Sequence, residues 1–306
     1  MKLYDKKANG KFLLSAEYLV LDGAQGLALP LKKGQRMVVE RERRSNSDII
    51  WESMTQSDKV WFHTEFNLSE LDVEQEDSTV KRLFQLFSHL SARSELFDPT
   101  YTYRFRTYLD FPRKWGLGTS STLVALLADF AEIDPYALQF EVFGGSGYDI
   151  ACAFANSPLL YQKSNPPMGR QVAFHPDFSD RLFFVYLNEK RNSREAISAY
   201  RKKSIPERLI RRATEISNEL LDADYDGFCD LLREHENMLS EILEVQTMQS
   251  ALFHDFPGVI KSLGAWGGDF VLAVANEPEN AEDYFKSRGF EVVFSYDSLV
   301  INAPKQ

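Results

Sequence analysis

Gly116-Leu117-Gly118-Thr119-Ser120-Ser121-Thr122 separates two stretches of opposite character. Before it, Tyr101 to Phe111 (Tyr-Thr-Tyr-Arg-Phe-Arg-Thr-Tyr-Leu-Asp-Phe) alternates as a strand does and runs into Pro112. After it, Leu123-Val124-Ala125-Leu126-Leu127-Ala128 is apolar all round and predicts a buried helix. A glycine-rich loop between a strand and a helix brings backbone N–H groups close to an anion, and the helix dipole favours negative charge there. Such a site suits a triphosphate. The hydroxyls of Thr119, Ser120 and Ser121 are oxygen ligands for phosphate or for Mg²⁺, a hard cation. No lysine follows as in a Walker loop, and a Gly-x-Gly turn that merely caps a helix is an equal competitor on this stretch alone.

Outward from the loop, the chain reads as strands first and helices later. Lys11 to Leu31 has short apolar runs around Asp22-Gly23, the pattern of strands joined by a tight turn. Arg36 to Glu42 and Asp48 to Phe66 predict further strands of an antiparallel sheet, and the spacing of Val80, Leu83, Phe84, Phe87 and Leu90 predicts a helix from Ser78. Asp134-Pro135 is an N-cap and N1 pair for a helix that Gly144-Gly145 stops. Leu182 to Leu187 reads as a buried strand, and long helices follow around Ser193 to Lys202, Pro206 to Leu221 and Tyr225 to Val245. Phe270 to Ala275 and Glu291 to Ile301 read as strands, with a helix over Glu279 to Arg288 closed by Gly289. The order predicts an α+β fold.

Composition narrows the function classes. The 306 residues carry 35 Lys+Arg against 45 Asp+Glu, a net −10, which argues against a general nucleic-acid binder. Cys152 and Cys229 form neither a disulfide framework nor a zinc knuckle, and with no long apolar run the expectation is a soluble, cytoplasmic protein without a membrane partner. The five histidines show no His-x-x-x-His pair and no obvious carboxylate partner, which disfavours a zinc hydrolase. Gly145-Ser146-Gly147 follows a helix rather than a strand, so it ranks low as a nucleophile elbow.

Two more glycine-rich segments stand out. Gly144-Gly145-Ser146-Gly147-Tyr148-Asp149 places a carboxylate ahead of small and apolar residues; Asp149 there either accepts a proton, binds metal, or caps the helix it opens, and capping is the default. Gly264-Ala265-Trp266-Gly267-Gly268-Asp269 precedes the strand at Phe270 and, in isolation, is a hairpin or bulge. Lys11, after Gly10, sits at a strand start where a cation neutralises a transferring phosphoryl group, although an ordinary strand-end lysine is the commoner case. Lys190-Arg191-Asn192-Ser193-Arg194 follows a strand and precedes a helix, as suits an anionic acceptor group or a solvated basic turn.

In this order, Gly10-Lys11-Phe12-Leu13-Leu14-Ser15-Ala16-Glu17-Tyr18, Gly116 to Ser121 and Gly264 to Asp269 resemble the three motifs of the GHMP kinase superfamily of galactose, homoserine, mevalonate and phosphomevalonate kinases. Gly145 to Asp149 is similar to a segment of mevalonate and phosphomevalonate kinases, Gly267-Gly268-Asp269 leans towards the latter, and Tyr148 to Ala151 resembles the "GYDIA" group. The resemblance implies a two-lobed fold, an N-terminal lobe over 1–165 like ribosomal protein S5 domain 2 and a ferredoxin-like C-terminal lobe over 166–306. It implies ATP and Mg²⁺ as cofactors and a small-molecule phosphoryl acceptor of the mevalonate pathway, phosphomevalonate or mevalonate, and leaves a homodimer open.

Carried across, Gly116, Leu117, Gly118, Thr119, Ser120, Ser121, Gly267 and Gly268 would bind the nucleotide, Ser120 and Glu141 the metal, Lys11 and Asp149 would be catalytic, and Ser146, Asp149 and Asp269 would hold the acceptor, to which Ser193 is added from its own place between a strand and a helix. Two residues depart from the pattern: Ala16 stands where glycine is usual, and Trp266 where a small residue lets the backbone approach phosphate. A sugar or homoserine kinase, diphosphomevalonate decarboxylase, and a non-catalytic ATP-binding relative remain alternatives.

Overall fold

Alternating sequence in the N-terminal part produces long strands. In the computed structural model, which describes residues 1–72, 74–93, 97–189, 193–264, 266 and 268–302, with the side chains of residues 93, 193 and 194 left out, β1 (Lys2–Leu13) is followed by β2 (Gln25–Arg43). Then come β3 (Ile49–Met54), β4 (Val60–Phe66), α1 (Ser78–Arg93), β5 (Tyr101–Leu109), α2 (Thr119–Phe130), α3 (Pro135–Val142) and α4 (Tyr148–Ala153). The chain continues through β6 (Leu159–Gln162), β7 (Met168–Gln171), β8 (Leu182–Tyr186), α5 (Ser193–Tyr200), α6 (Glu207–Glu219), α7 (Tyr225–Leu243) and α8 (Met248–Leu252). It ends with β9 (Gly258–Ser262), β10 (Phe270–Ala275), α9 (Pro278–Lys286), β11 (Val293–Ser295) and α10 (Tyr296–Leu299). The chain forms two compact units, one of Met1–Gly10, Lys33–Arg113 and Leu117–Phe154, the other of Lys11–Lys32, Lys114–Gly116 and Ala155–Gln306. The units interleave along the sequence.

In the first unit the strand order is β4-β3-β5-β2, with Val39 opposite Phe105 and Trp51 beside Phe105. The expected antiparallel sheet holds for β3 with β4 and β2 with β5, but β3 and β5 run parallel. The physical reason is the connection: α1 lies between β4 and β5, long enough to cross over and return the chain in the same direction. Against the sheet, Trp51, Phe87, Phe105 and Phe130 pack edge-to-face or stacked, and α2 buries Val124, Leu126, Leu127 and Ala128 completely. Each fully buried large apolar side chain contributes about 1.5–3 kcal/mol, which is why an apolar run with no polar face forms the helix that carries the loop.

In the second unit β8, β9, β10 and β11 form an antiparallel sheet in the order β11-β8-β10-β9. The sequence β8, helices, β9, β10, α9, β11 with that order is the ferredoxin-like arrangement. Every residue of β10 is buried, as expected of a central strand covered on both faces. Residues 25–28 of β2 pair with β6, and β6 with β7.

One expected strand is corrected. Glu291 to Ile301 yields only a three-residue strand and then α10, because Tyr296 and Leu299 are both buried, a spacing of three that a helical turn satisfies. The Tyr296 hydroxyl donates to the Phe174 carbonyl at 2.9 Å and holds that turn. Among the described residues, no helix is long and apolar enough to cross a membrane.

Candidate functional site

The phosphate-loop candidates fall into the two units and are built differently in each. In the first, Leu117 is fully buried and Gly118 caps α2 with φ 98°, a left-handed conformation that glycine adopts freely. No side chain caps the helix, which leaves the N–H groups of its first turn available to a ligand. The hydroxyls do not behave alike. Ser121 donates to the Gly118 carbonyl at 2.9 Å, and Thr122 reaches that carbonyl at 3.0 Å and Gln35 at 2.7 Å, so both brace the loop. Thr119 is half-buried and Ser120 is exposed.

Asp149 lies in the first turn of α4, which packs against α2. The N-cap position belongs to Gly147 at φ 92°, and Asp149 follows two residues later in the first turn, where a negative charge suits the helix dipole. Ser146 is buried just upstream. Glu141, on α3, has Oε2 3.0 Å from Nδ1 of His89 on α1.

In the second unit, Lys11 ends up beside Gly116. Phe12 packs against Phe184 and Phe270 with ring centroids 5.0 and 5.2 Å apart, which fixes this end of β1, and the Lys11 Nζ donates to the Gly116 carbonyl at 3.3 Å. Trp115, which the sequence reading did not single out, anchors the other side of that glycine through Tyr186, Phe270 and Phe294 at 5.9, 6.0 and 5.5 Å. Asp269 also stands against Gly116: a Cβ added there would lie 2.6 Å from the Asp269 Cγ. Its backbone is held from both directions, its N–H donating to Glu189 at 2.7 Å and its carbonyl accepting from Leu187 at 2.8 Å. Lys11 and Asp269 therefore flank one glycine from opposite motifs.

The third glycine-rich segment connects the antiparallel strands β9 and β10, as the hairpin reading expected. Gly264 and Gly268 fall in this connection, while Gly267, like Lys190, Arg191 and Asn192 and the side chains of Ser193 and Arg194, lies outside the described residues. Trp266 is buried at φ 53° and Ala16 is buried at φ 63°, so both departures from the GHMP pattern occupy left-handed backbone where glycine is the least strained residue.

A buried cluster in the same unit was invisible to pattern reading. His235 accepts the Ala16 N–H at 2.7 Å and lies 3.5 Å from Glu17, whose other oxygen accepts from Lys261 at 2.6 Å. Burial first, and the Lys261 ammonium second, hold the His235 imidazole well below its ordinary pKa, while burial raises Glu17 and Glu236. No spacing motif signals these contacts, since the partners lie far apart in sequence.

No family model matches the chain, and no curated protein sequence matches it. Among solved structures, the Methanococcus jannaschii mevalonate kinase superposes at a TM-score of 0.72 and 16% identity, covering 98% of each chain. The Lactococcus lactis galactokinase complexed with galactose gives 0.72 at 13% identity over 98% of this chain and 93% of its own. The Streptococcus pneumoniae phosphomevalonate kinase in complex with phosphomevalonate and AMPPNP gives 0.67 at 17% over 93% and 95%. With nearly the whole length of each kinase matched, the chain has the GHMP kinase fold.

Proposed function

We propose that this protein is an ATP-dependent small-molecule kinase that transfers the γ-phosphoryl group to an acceptor of the mevalonate pathway, phosphomevalonate or mevalonate. The observation that supports it is the uncapped start of α2, opened by Gly118 and presenting Ser120, on a helix packed against the one that carries Asp149. Free N–H groups and hydroxyl oxygens fit the anionic oxygens of a nucleotide. Mg²⁺ is held largely by phosphates with one or two protein oxygens. Ser120 is the better placed ligand, because Glu141 already contacts His89.

Bound Mg²⁺ would neutralise charge on the transferring group. The chain's own part is positioning: in the first unit the first-turn amides of α2 hold the phosphates and Asp149 orients or deprotonates the acceptor hydroxyl, and in the second unit Lys11 supplies a cation beside Gly116. A sugar acceptor is the second reading, favoured by the galactokinase superposition. The test is acceptor-dependent ADP release with Mg-ATP over mevalonate, phosphomevalonate, diphosphomevalonate, homoserine and simple sugars, with products identified by mass. A product heavier by one phosphoryl group names the acceptor; ATP binding with no turnover on any of them counts against the kinase reading. Asp149→Asn is expected to keep nucleotide binding and to lose about 100-fold or more in kcat.

A further inference from the structure

Glu17, His235, Glu236, Lys261 and Ser262 meet in the interior of the second unit, none more than 3% exposed. The Lys261 ammonium donates to Glu17 Oε1 at 2.6 Å and to the Ser262 carbonyl at 2.7 Å, with Glu236 Oε2 at 3.7 Å. Glu236 in turn accepts the Ser262 N–H at 3.0 Å and its hydroxyl at 2.6 Å. His235 Nε2 accepts the Ala16 N–H, so the ring proton is assigned to Nδ1 and His235 is neutral; its approach to Glu17 is not an ion pair.

Stability alone does not account for this arrangement. Taking a cation and two carboxylates out of water costs several kcal/mol per ion, and a well-packed apolar cluster of the same volume is commonly as stable or more so. What the cluster does achieve is a connection. Glu17 sits between Ala16 and Tyr18, both at φ 63°, in the turn that follows the strand bearing Lys11. Lys261 and Ser262 end β9, Leu263 donates to Phe270 at 3.1 Å, and Phe270 directly follows Asp269, which stands against Gly116. One buried cation thus joins the base of the third motif to the turn of the first.

We propose that Lys261 is a positioning residue for phosphoryl transfer. Clamped by Glu17 and Glu236, it fixes the end of β9, where Leu263 is hydrogen-bonded to Phe270, so that the adjacent Asp269 keeps its place beside Gly116 and Lys11. The proposal rests on the kinase reading above, and a displacement of about 1 Å in such a site costs on the order of 100-fold in rate.

The test compares the full chain with Glu17→Gln, Lys261→Met and Lys261→Arg. Acceptor-dependent ADP release gives kcat and KM, calorimetry gives the Kd of Mg-AMPPNP, and thermal unfolding gives Tm. Glu17→Gln keeps a hydrogen-bond acceptor for Lys261 and leaves Glu236 as its counter-charge at 3.7 Å, so the variant is expected to fold with a lowered Tm, and its kinetics are read well below that Tm. Its kcat is expected to fall about tenfold or more, while the KM for ATP and the AMPPNP Kd move less than about threefold. In Lys261→Met the kcat loss should be at least as large, and adding Glu17→Gln to it should cost little more, because both act on one contact. Should Lys261→Met not fold, Glu17→Gln and Lys261→Arg decide. Folded Glu17→Gln with kcat within about twofold of the parent overturns the positioning role. A parent chain that neither binds Mg-AMPPNP nor releases ADP overturns the kinase reading and this proposal with it.

Discussion

At the residue scale, Gly116 shows why a glycine is needed where a motif shows only a letter. Its φ of 67° is left-handed, and the space a Cβ would take is filled by the Asp269 carboxylate. Gly116→Ala must strain the backbone and push Asp269 away, so about 1–3 kcal/mol of stability and about tenfold or more in kcat are expected to go, measured by urea unfolding and ADP release. Parent-like values on both would show that the carboxylate yields freely. His235 gives a pH signature. Its folded pKa lies well below 6.5 because burial disfavours the charged ring, so below that pH the unfolded chain binds a proton that the folded chain refuses. Stability then falls as pH drops, by up to about 1.4 kcal/mol per unit. Glu17 and Glu236 act in the opposite sense, since their pKa is raised above 4.5 and the stability they contribute at low pH is lost as pH rises. His235→Gln keeps an acceptor for the Ala16 N–H and does not titrate, which isolates the histidine. The stability of the parent minus that of the variant should shrink from pH 7 to pH 5; parallel curves would count against a neutral buried imidazole.

At the element scale, α2 is stabilised by burial and weakened at its C-terminal end. Ala131 is the C-cap, and beyond it Glu132 adopts φ 53° while Ile133 donates to Ala128 at 3.0 Å and Glu132 to Asp129 at 3.4 Å, a Schellman closure with glutamate where glycine is preferred. Glu132 is exposed and lies past the C-terminal end of α2, opposite the end that Gly118 opens. Glu132→Gly is therefore expected to add about 1 kcal/mol with unchanged ADP release, read from urea unfolding, and a destabilised variant would contradict the strain argument. The N-terminal end of α3 was legible without any structure: Asp134 accepts the Tyr136 N–H at 2.9 Å and Pro135 occupies the first turn. The last apolar stretch was not. Residues 291–301 alternate well enough for a strand, yet the burial of Tyr296 beneath Phe174 selects a helical turn, and that partner lies in a distant part of the chain.

At the scale of the whole molecule, the fold and the nucleotide reading make one thermodynamic statement. A ligand that binds only the folded chain stabilises it by mass action, so Mg-AMPPNP at about 100 times its Kd should add about 2.7 kcal/mol to the unfolding free energy. Thermal unfolding with and without the analogue checks this, and Asp149→Asn should retain the shift while losing turnover. What the sequence by itself determined was local: the α+β order, the glycine-rich loop that opens α2, the cap at Asp134, the apolar α2 and the other two glycine-rich segments. These depend on residues a few positions apart, whose φ preferences, side-chain caps and periodic burial act before any tertiary contact forms. Only the tertiary structure decided that β3 and β5 run parallel, that Ser121 braces the loop while Ser120 faces solvent, that Asp269 and Lys11 flank Gly116, and that Lys261 is buried between Glu17 and Glu236. Each of those is set by partners brought together from far along the chain, and a buried charge has no pattern in sequence until the groups that neutralise it are in place.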